Sequence, residues 1–220
     1  MKKVLSKIGL LSVAGLLVAI APPVHAAPIT ATFSNIAETA TLDPAIAFSS
    51  DGFLFVRNVY EGLLEYKPGT MTLQGVLAKR WKASADGLSF TFVLRSGVKF
   101  HDGSPLNADA VVASLKRTQA VNQGPATMMK NVDDIVATSS SKVKITMKTK
   151  DFTFLGKLPK VPIVSATAIE AHKSDADPLA STWFATNEAG TGPYVLDNWQ
   201  RNQAITITKN PNYWRAFDAK

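Results

Sequence analysis

Residues 80–117 restrict the fold more than any other part of this chain. Within them, residues 89–95 alternate apolar and polar side chains, with Phe90, Phe92 and Leu94 on one face, which is the period of a half-buried strand. The residue pairs typical of turns stand on both sides of this segment, at Asp86-Gly87 and at His101-Asp102-Gly103. The sequence therefore predicts a β-strand enclosed by two turns.

A helix is predicted directly after the second turn. Asn107 is a favourable N-cap residue, and apolar residues follow at helical spacing, at Val111, Val112 and Leu115. Lys116 and Arg117 come near the end of this segment, where the helix dipole favours cations. Strand, loop and helix in this order indicate a mixed α/β chain.

This segment resembles the extracellular solute-binding protein family 5, whose members serve ABC importers of oligopeptides, dipeptides and nickel. Three other passages resemble family motifs and follow in the family's order: Tyr60-Glu61-Gly62-Leu63-Leu64, Gly190-Thr191-Gly192-Pro193-Tyr194 and Asn210-Pro211-Asn212-Tyr213-Trp214. The resemblance assigns the first passage to the first long helix, the second to a loop that returns into the first lobe, and the third to the segment after the next hairpin. It covers the chain from about Thr41 to Trp214.

The resemblance implies an α/β fold of the periplasmic binding protein type II class. It divides the first lobe into a discontinuous subdomain, residues 28–66 plus 185–220, and an inserted subdomain, residues 67–184. Family members continue into a second lobe that closes over the solute, whereas this chain ends six residues after Trp214. We therefore expect a truncated chain that lacks the second lobe and binds solute more weakly than a full-length relative.

Periodicity and capping residues predict the remaining elements. Ile29, Ala31 and Phe33 alternate as a first strand, and residues 194–199 and 204–209 alternate as two strands joined by a polar turn. A first helix is expected after the turn at residues 42–44, from apolar residues three and four apart, at Phe53, Val56, Tyr60 and Leu63. Thr167 and Glu170 form a potential capping box for a helix over residues 168–172.

The first 26 residues have the pattern of a secretory signal peptide. Lys2, Lys3 and Lys7 precede an apolar run over residues 8–20, and Val24-His25-Ala26 offers a cleavage site before Ala27. An uncleaved membrane anchor is the alternative, although the run is shorter than the roughly 20 residues that span a bilayer. The chain has no cysteine for lipid attachment or a disulfide. We expect a soluble periplasmic protein.

Charge gives no indication of a nucleic-acid partner. The whole chain carries +7, and loss of the signal leaves 21 basic and 17 acidic residues, a net +4. The lysines at positions 142, 144 and 148 alternate with Val143, Ile145 and Met147, which is typical of a solvated strand face. A basic patch interleaved with exposed aromatic residues is absent from the pattern.

The best ligand-binding candidates are Phe48, Ser49, Ser50 and Asp51, in the loop over residues 46–51. In the resembling family this loop borders the solute cleft, where backbone groups can bind an extended peptide. The alternative is that Ser50 or Asp51 caps the following helix and Phe48 packs beneath it. Trp183 and Tyr194 are weaker candidates, because large aromatic residues more often fill the core.

No catalytic, cofactor or metal site is predicted. Ser139 and Lys142 have serine–lysine hydrolase spacing but lie in a polar run without companion motifs, and no Gly-x-Ser-x-Gly elbow is present. Gly190-x-Gly192 lacks the third glycine of a dinucleotide loop. His101 and His172 have no second histidine or cysteine at metal-ligand spacing, and His101 is interpreted as a turn residue.

The sequence thus predicts a periplasmic solute-binding component of an ABC importer, without enzymatic activity. A peptide or small-molecule solute and the importer's membrane permease are the expected partners, and the identity of the solute stays open. Two alternatives remain: a remnant or incomplete reading frame that transports nothing, and a secreted hydrolase.

Overall fold

The computed structural model of the protein describes residues 39–216, so the predicted signal peptide and the predicted strand at residues 29–33 lie outside the described part. The described helices and strands run in this order: α1 (Ser50–Val59), β1 (Leu64–Tyr66), β2 (Leu73–Gly75), β3 (Ala78–Ala83), β4 (Ser89–Leu94), α2 (Ala108–Val121), β5 (Val132–Ser139), β6 (Lys142–Met147), α3 (Phe154–Lys157), α4 (Ala166–His172), α5 (Ser181–Phe184), β7 (Tyr194–Gln200) and β8 (Ala204–Lys209). Short 3-10 turns lie at Gly124–Met129 and Leu158–Lys160.

A four-stranded antiparallel sheet in the order β3-β4-β6-β5 forms the centre of the larger core. The predicted strand is confirmed as β4, and Phe90, Phe92 and Leu94 are buried as their alternation requires. Phe92 lies opposite Val143 of β6, which is also buried. The predicted helix is confirmed as α2, capped by the Asn107 side chain, which accepts from the backbone N–H of Ala110 at 2.8 Å. Its apolar face packs into the same core.

Two predicted helix boundaries are wrong. Helix α1 ends at Val59, because Tyr60 has extended backbone angles (φ −118°, ψ 155°), so the Tyr60 to Leu64 motif follows the first helix instead of belonging to it. Helix α4 begins at Ala166, and its N-cap is Ser165, whose hydroxyl accepts from the N–H of Ala168. The proposed capping box at Thr167 does not form, because Thr167 already lies inside the helix.

A second apolar cluster lies among helices α1, α4 and α5. The predicted hairpin is confirmed as β7 and β8, with β7 one residue longer than expected, and Ile205 and Ile207 pack partly buried against this cluster. Strands β1 and β2 pair separately as a small antiparallel ribbon. Over residues 39–216, no helix combines the length and the apolar composition that crossing a membrane requires.

Candidate functional site

The predicted ligand-binding residues lie together where the chain enters helix α1. Phe48 is half-buried and meets Phe53 edge to face at 6.5 Å, while Ser49 and Ser50 are exposed. Ser49 is the N-cap, since its hydroxyl accepts from the N–H of Gly52 at 3.5 Å, so the expectation that Ser50 or Asp51 caps this helix is wrong. Asp51 instead occupies the first turn, where the helix dipole favours an acid.

Asp43 holds the start of this loop through hydrogen bonds to the backbone of the next residues. Its carboxylate oxygen Oδ1 accepts from the N–H of Ala45 at 2.9 Å, and its backbone carbonyl accepts from Ile46 and Ala47 at 2.9 and 2.7 Å. The N–H of Leu42 donates to the carbonyl of Ala185, which attaches the loop to the end of α5. The loop therefore has a defined conformation before any solute binds.

A buried ion pair fixes Asp43 to helix α2. Arg117 donates from Nη1 and Nη2 to the two carboxylate oxygens of Asp43, at 2.9 and 2.7 Å. Its Nε donates to the carbonyl of Leu179 at 2.6 Å, and its guanidinium lies 4.3 Å from the ring centre of Phe184. Both charged side chains are almost completely buried. The arginine therefore joins the candidate loop, α2 and the segment before α5.

The sequence places Arg117 near the end of α2, where the dipole favours a cation, and does not predict this ion pair. The position of Arg117 on the helix could have indicated its burial, because it lies on the same buried face as Ala110 and Ser114. A charged residue on an apolar helix face requires a buried partner, although the face alone does not say which acid supplies it.

Gly124 supports the candidate loop from the other side. It begins the 3-10 turn after α2 with φ +43°, a conformation that side chains rarely adopt. A Cβ atom at this position would lie 3.1 Å from both the carbonyl oxygen of Ala45 and Cβ of Phe48. The loop thus rests directly on the backbone of this turn.

The two weaker candidates lie elsewhere in the fold. Trp183 stacks on His172 with ring centres 4.2 Å apart and meets Phe184 edge to face at 4.9 Å, and it packs partly buried against the second apolar cluster. It also lines an open depression beside Asp177. Tyr194 is half-buried at the start of β7, opposite Lys209. The ligand role of all six candidates stays a prediction.

Glu61 is the meeting point of the three passages that resemble family motifs. Its Oε2 accepts from the hydroxyl of Thr191 at 2.9 Å and from the indole N–H of Trp214 at 2.7 Å, and its Oε1 accepts from the hydroxyl of Tyr213 at 2.8 Å. Burial raises the pKa of this carboxyl, and the three donors only partly oppose that rise. Each passage is recognisable from the sequence, but their convergence on one carboxylate is visible only in the fold.

His101 is more than the turn residue that the sequence predicted. Its Nδ1 lies 2.6 Å from Oε2 of Glu188, and its Nε2 lies 3.0 Å from the carbonyl oxygen of Gly192. Because both neighbours are acceptors, the doubly protonated ring is the form that satisfies them. Burial alone would lower the pKa of His101, but the hydrogen bond and charge of Glu188 outweigh it and raise this pKa.

The serine and lysine with hydrolase spacing lie in an exposed hairpin. Ser139 ends β5 and Lys142 begins β6, with a two-residue turn between them. Within residues 39–216, no three His, Asp or Glu side chains are grouped so that they could hold a metal ion. The absence of catalytic and metal residues stays a prediction.

Comparison with known proteins assigns a family to most of the chain. The family described as bacterial extracellular solute-binding proteins, family 5 Middle, matches residues 72–220. The probable D,D-dipeptide-binding periplasmic protein DdpA of Escherichia coli K12 is 33% identical over 183 residues, 80% of this chain and 35% of the relative. The glutathione-binding protein GsiB of Shigella flexneri is 32% identical over 179 residues, 80% of this chain and 33% of the relative.

Solved structures show the same similarity. The structure of NikZ from Campylobacter jejuni in complex with Ni(L-His) superposes with a TM-score of 0.70 at 27% identity and covers 80% of this chain and 34% of NikZ. The chain therefore spans about a third of the length of the relatives that it matches.

Proposed function

We propose a periplasmic solute-binding function from the premise that this chain belongs to family 5 of the bacterial extracellular solute-binding proteins. It has the type II periplasmic binding protein fold, and its length corresponds to about a third of its relatives. The proposed role is that of the first-lobe contact surface for a solute that an ABC importer takes up. The importer's membrane permease is the proposed second partner.

A peptide is the solute that we propose. Two relatives are named for binding a D,D-dipeptide and glutathione, which are both peptide-like molecules. The exposed Ser49 directly precedes α1 in extended backbone, and main-chain groups in such a conformation can pair with an extended peptide independently of its sequence. Phe48 and Asp51 would add an apolar contact and a carboxylate for the peptide amine.

The buried contact between Asp43 and Arg117 is the observation that carries this proposal. A loop that orders only on binding would lose affinity to the entropy of ordering. Here the ion pair and the backbone bonds of Asp43 hold the segment before α1 in one conformation. The fold therefore presents residues 48–51 as a preformed surface.

Calorimetric titration of the 220-residue chain with di-, tri- and tetrapeptides tests the proposal. We expect only weak heat of binding, with at least one peptide length, and a loss of about tenfold or more in affinity for the variants Phe48→Ala and Asp51→Asn. Asp109→Asn is the matched control, because Asp109 also lies in the first turn of a helix but on α2. Unchanged affinity in both loop variants would remove the candidate site.

The same titration separates the alternatives. Binding of a nickel–histidine complex without binding of any peptide would favour the solute class for which NikZ is named. Turnover of an ester or peptide substrate that is lost in Ser139→Ala would favour a secreted hydrolase instead. Binding of neither solute class would favour a remnant without a transport role.

Export is proposed as well, with cleavage before Ala27. Mass spectrometry of a periplasmic extract is expected to give the mass of a chain that begins at Ala27. An intact N-terminus that stays in the membrane fraction after a salt wash would contradict it.

A further inference from the structure

The outer face of the four-stranded sheet carries a compact group of cations that the solute-binding proposal does not use. The inner face of this sheet is buried in the larger core, whereas the side chains of the opposite face are open to solvent. Four exposed basic residues lie on that outer face, and we call them the basic sheet face: Arg80 and Lys82 on β3, and Lys142 and Lys144 on β6.

Strand register brings these four residues into two adjacent rows. Val93 of β4 lies opposite Arg80 on one side and Lys142 on the other. Thr91, also on β4, lies opposite Lys82 and Lys144. From standard strand spacings, the backbones of the two cations in a row are about 10 Å apart, and the two rows are about 7 Å apart. Each row thus places a half-buried, uncharged residue between two cations.

Within residues 39–216, no acidic side chain forms an ion pair with Arg80, Lys82, Lys142 or Lys144 of the basic sheet face. The acids in the strands of this sheet are Asp133 and Asp134, both on the edge strand β5, and Asp134 pairs with Lys116 of α2 at 3.9 Å. Four like charges close together repel one another, so binding of an anionic partner would offset this unfavourable repulsion.

An exposed aromatic ring lies at one end of the same sheet. Phe152 is 87% exposed, the largest exposed fraction among the large apolar residues described. Its ring passes 3.5 Å from the place where a Cβ of Gly87 would stand, in the turn between β3 and β4, and Lys150 borders the same glycine. Asp86 lies in the same turn and interacts with Lys150, so the sheet combines its cationic face with an apolar ring at this end and gains no further net charge there.

We propose that the basic sheet face docks on an anionic lipid surface. Three of its four cations are lysines, and lysine is depleted at protein–protein interfaces, whereas lysine clusters are attracted to acidic headgroups without a specific geometry. The centre of this face is formed by the half-buried Thr91 and Val93 and has no broad apolar patch, so it fits a membrane surface better than a protein partner. Phe152 would enter the headgroup region beside the lysines, as aromatic residues of peripheral proteins do.

Co-sedimentation with vesicles tests this docking. The mature chain that the export proposal gives, residues 27–220, is mixed with vesicles of phosphatidylcholine alone and of phosphatidylcholine with 30% phosphatidylglycerol. We expect binding to the anionic vesicles at low salt, weakened at 0.5 M NaCl because surface charges are then screened. A variant with glutamine at all four positions of the basic sheet face is expected to bind about tenfold or more weakly.

A charge-matched control distinguishes this face from general basicity and from the N-terminal segment. The control replaces four exposed lysines outside the sheet by glutamine: Lys67, Lys99, Lys130 and Lys160. Both variants keep the same N-terminus and the same net charge, so a difference between them isolates the sheet face. Phe152→Ser should weaken the part of the binding that survives high salt.

The proposal would be overturned if the two charge variants lost vesicle binding equally. It would also be overturned if the unmodified chain bound neutral and anionic vesicles equally. Absent vesicle binding together with salt-sensitive binding to an acidic protein would also overturn it and assign the face to a protein partner. Circular dichroism of each variant checks that the fold is kept, which we expect because all nine replaced side chains are exposed.

Discussion

Two regions of this molecule are held together in different ways. In the four-stranded sheet, stability comes from apolar rows such as Phe92 against Val143, repeated across neighbouring strands. Outside the sheet, single polar contacts connect distant parts of the chain: Asp43 and Arg117, beside the candidate loop, are 74 residues apart, and Glu61 and Trp214 are 153 apart. The sheet distributes its stability over many side chains, whereas the second region depends on a few that have no substitute.

Arg117→Ala tests that dependence most severely. The variant leaves the carboxylate of Asp43 buried without its counter-charge, and breaking such a pair costs about 3–5 kcal/mol of unfolding free energy. Urea unfolding followed by circular dichroism measures this loss. Peptide affinity should fall together with stability, because the arginine also positions the candidate loop.

Lys116→Ala is the matched control on the same helix. Lys116 and Asp134 are both about half exposed, and their 3.9 Å contact is expected to contribute about 0–1 kcal/mol. Similar losses of unfolding free energy for Arg117→Ala and Lys116→Ala would contradict the distinction between a buried ion pair and an exposed one.

Glu61→Gln is expected to have the next largest effect. The amide would turn an NH₂ group toward hydroxyl or indole donors, leaving at least one of these part-buried donors without its acceptor at a cost of about 1–3 kcal/mol. Glu65→Gln serves as the control, since Glu65 pairs with Arg215 at 3.2 Å where both side chains are more than a third exposed. Chemical denaturation of both variants measures the difference, and an equal loss would contradict the role of Glu61 as a meeting point.

A conservative change inside the sheet should lower the free energy of unfolding by less than Arg117→Ala or Glu61→Gln does. Ile145→Val removes one methylene from a fully buried row, and such changes cost about 0.5–1.5 kcal/mol. Thermal unfolding of the variant checks this value. A loss as large as that of Arg117→Ala would show that the sheet also depends on single residues.

The smallest expected effect is a dependence of the free energy of unfolding on pH. Because the pKa of folded His101 is raised, its contribution to stability is complete below its unfolded pKa of about 6.5 and is lost as pH rises through the folded pKa. Stability should therefore fall from mildly acidic toward alkaline pH, and His101→Gln should flatten this fall. Parallel wild-type and variant profiles from denaturation at pH 6 to 9 would contradict the link to Glu188.

The sequence was sufficient for the elements that follow from local pattern. The alternation of Phe90, Phe92 and Leu94 predicts β4, and Asn107 predicts the start of α2, because neighbours along the chain determine both. The exact caps of α1 and α4 were missed, since several adjacent residues can cap and their preferences differ little in free energy.

Contacts between distant residues were beyond sequence reasoning. Nothing near Glu61 shows that its acceptors will be satisfied by Thr191, Tyr213 and Trp214, because that pairing depends on the completed fold. The family resemblance placed the candidate loop in the chain. It did not show that Arg117 and Gly124 support this loop from two sides.

The long reach of the Glu61 contacts also has a consequence for the order of folding. Strands β5 and β6 are joined by a two-residue turn and can pair as soon as both are free, whereas Glu61 must wait for Trp214, 153 residues later. Closing so long a loop is slow and entropically costly, so the sheet should form first and the Glu61 contacts last. A chain is synthesised and exported with its N-terminus first, so Glu61 would be without these hydrogen-bond donors until Trp214 follows. Until then, the segment around Glu61 would stay accessible to proteases and chaperones.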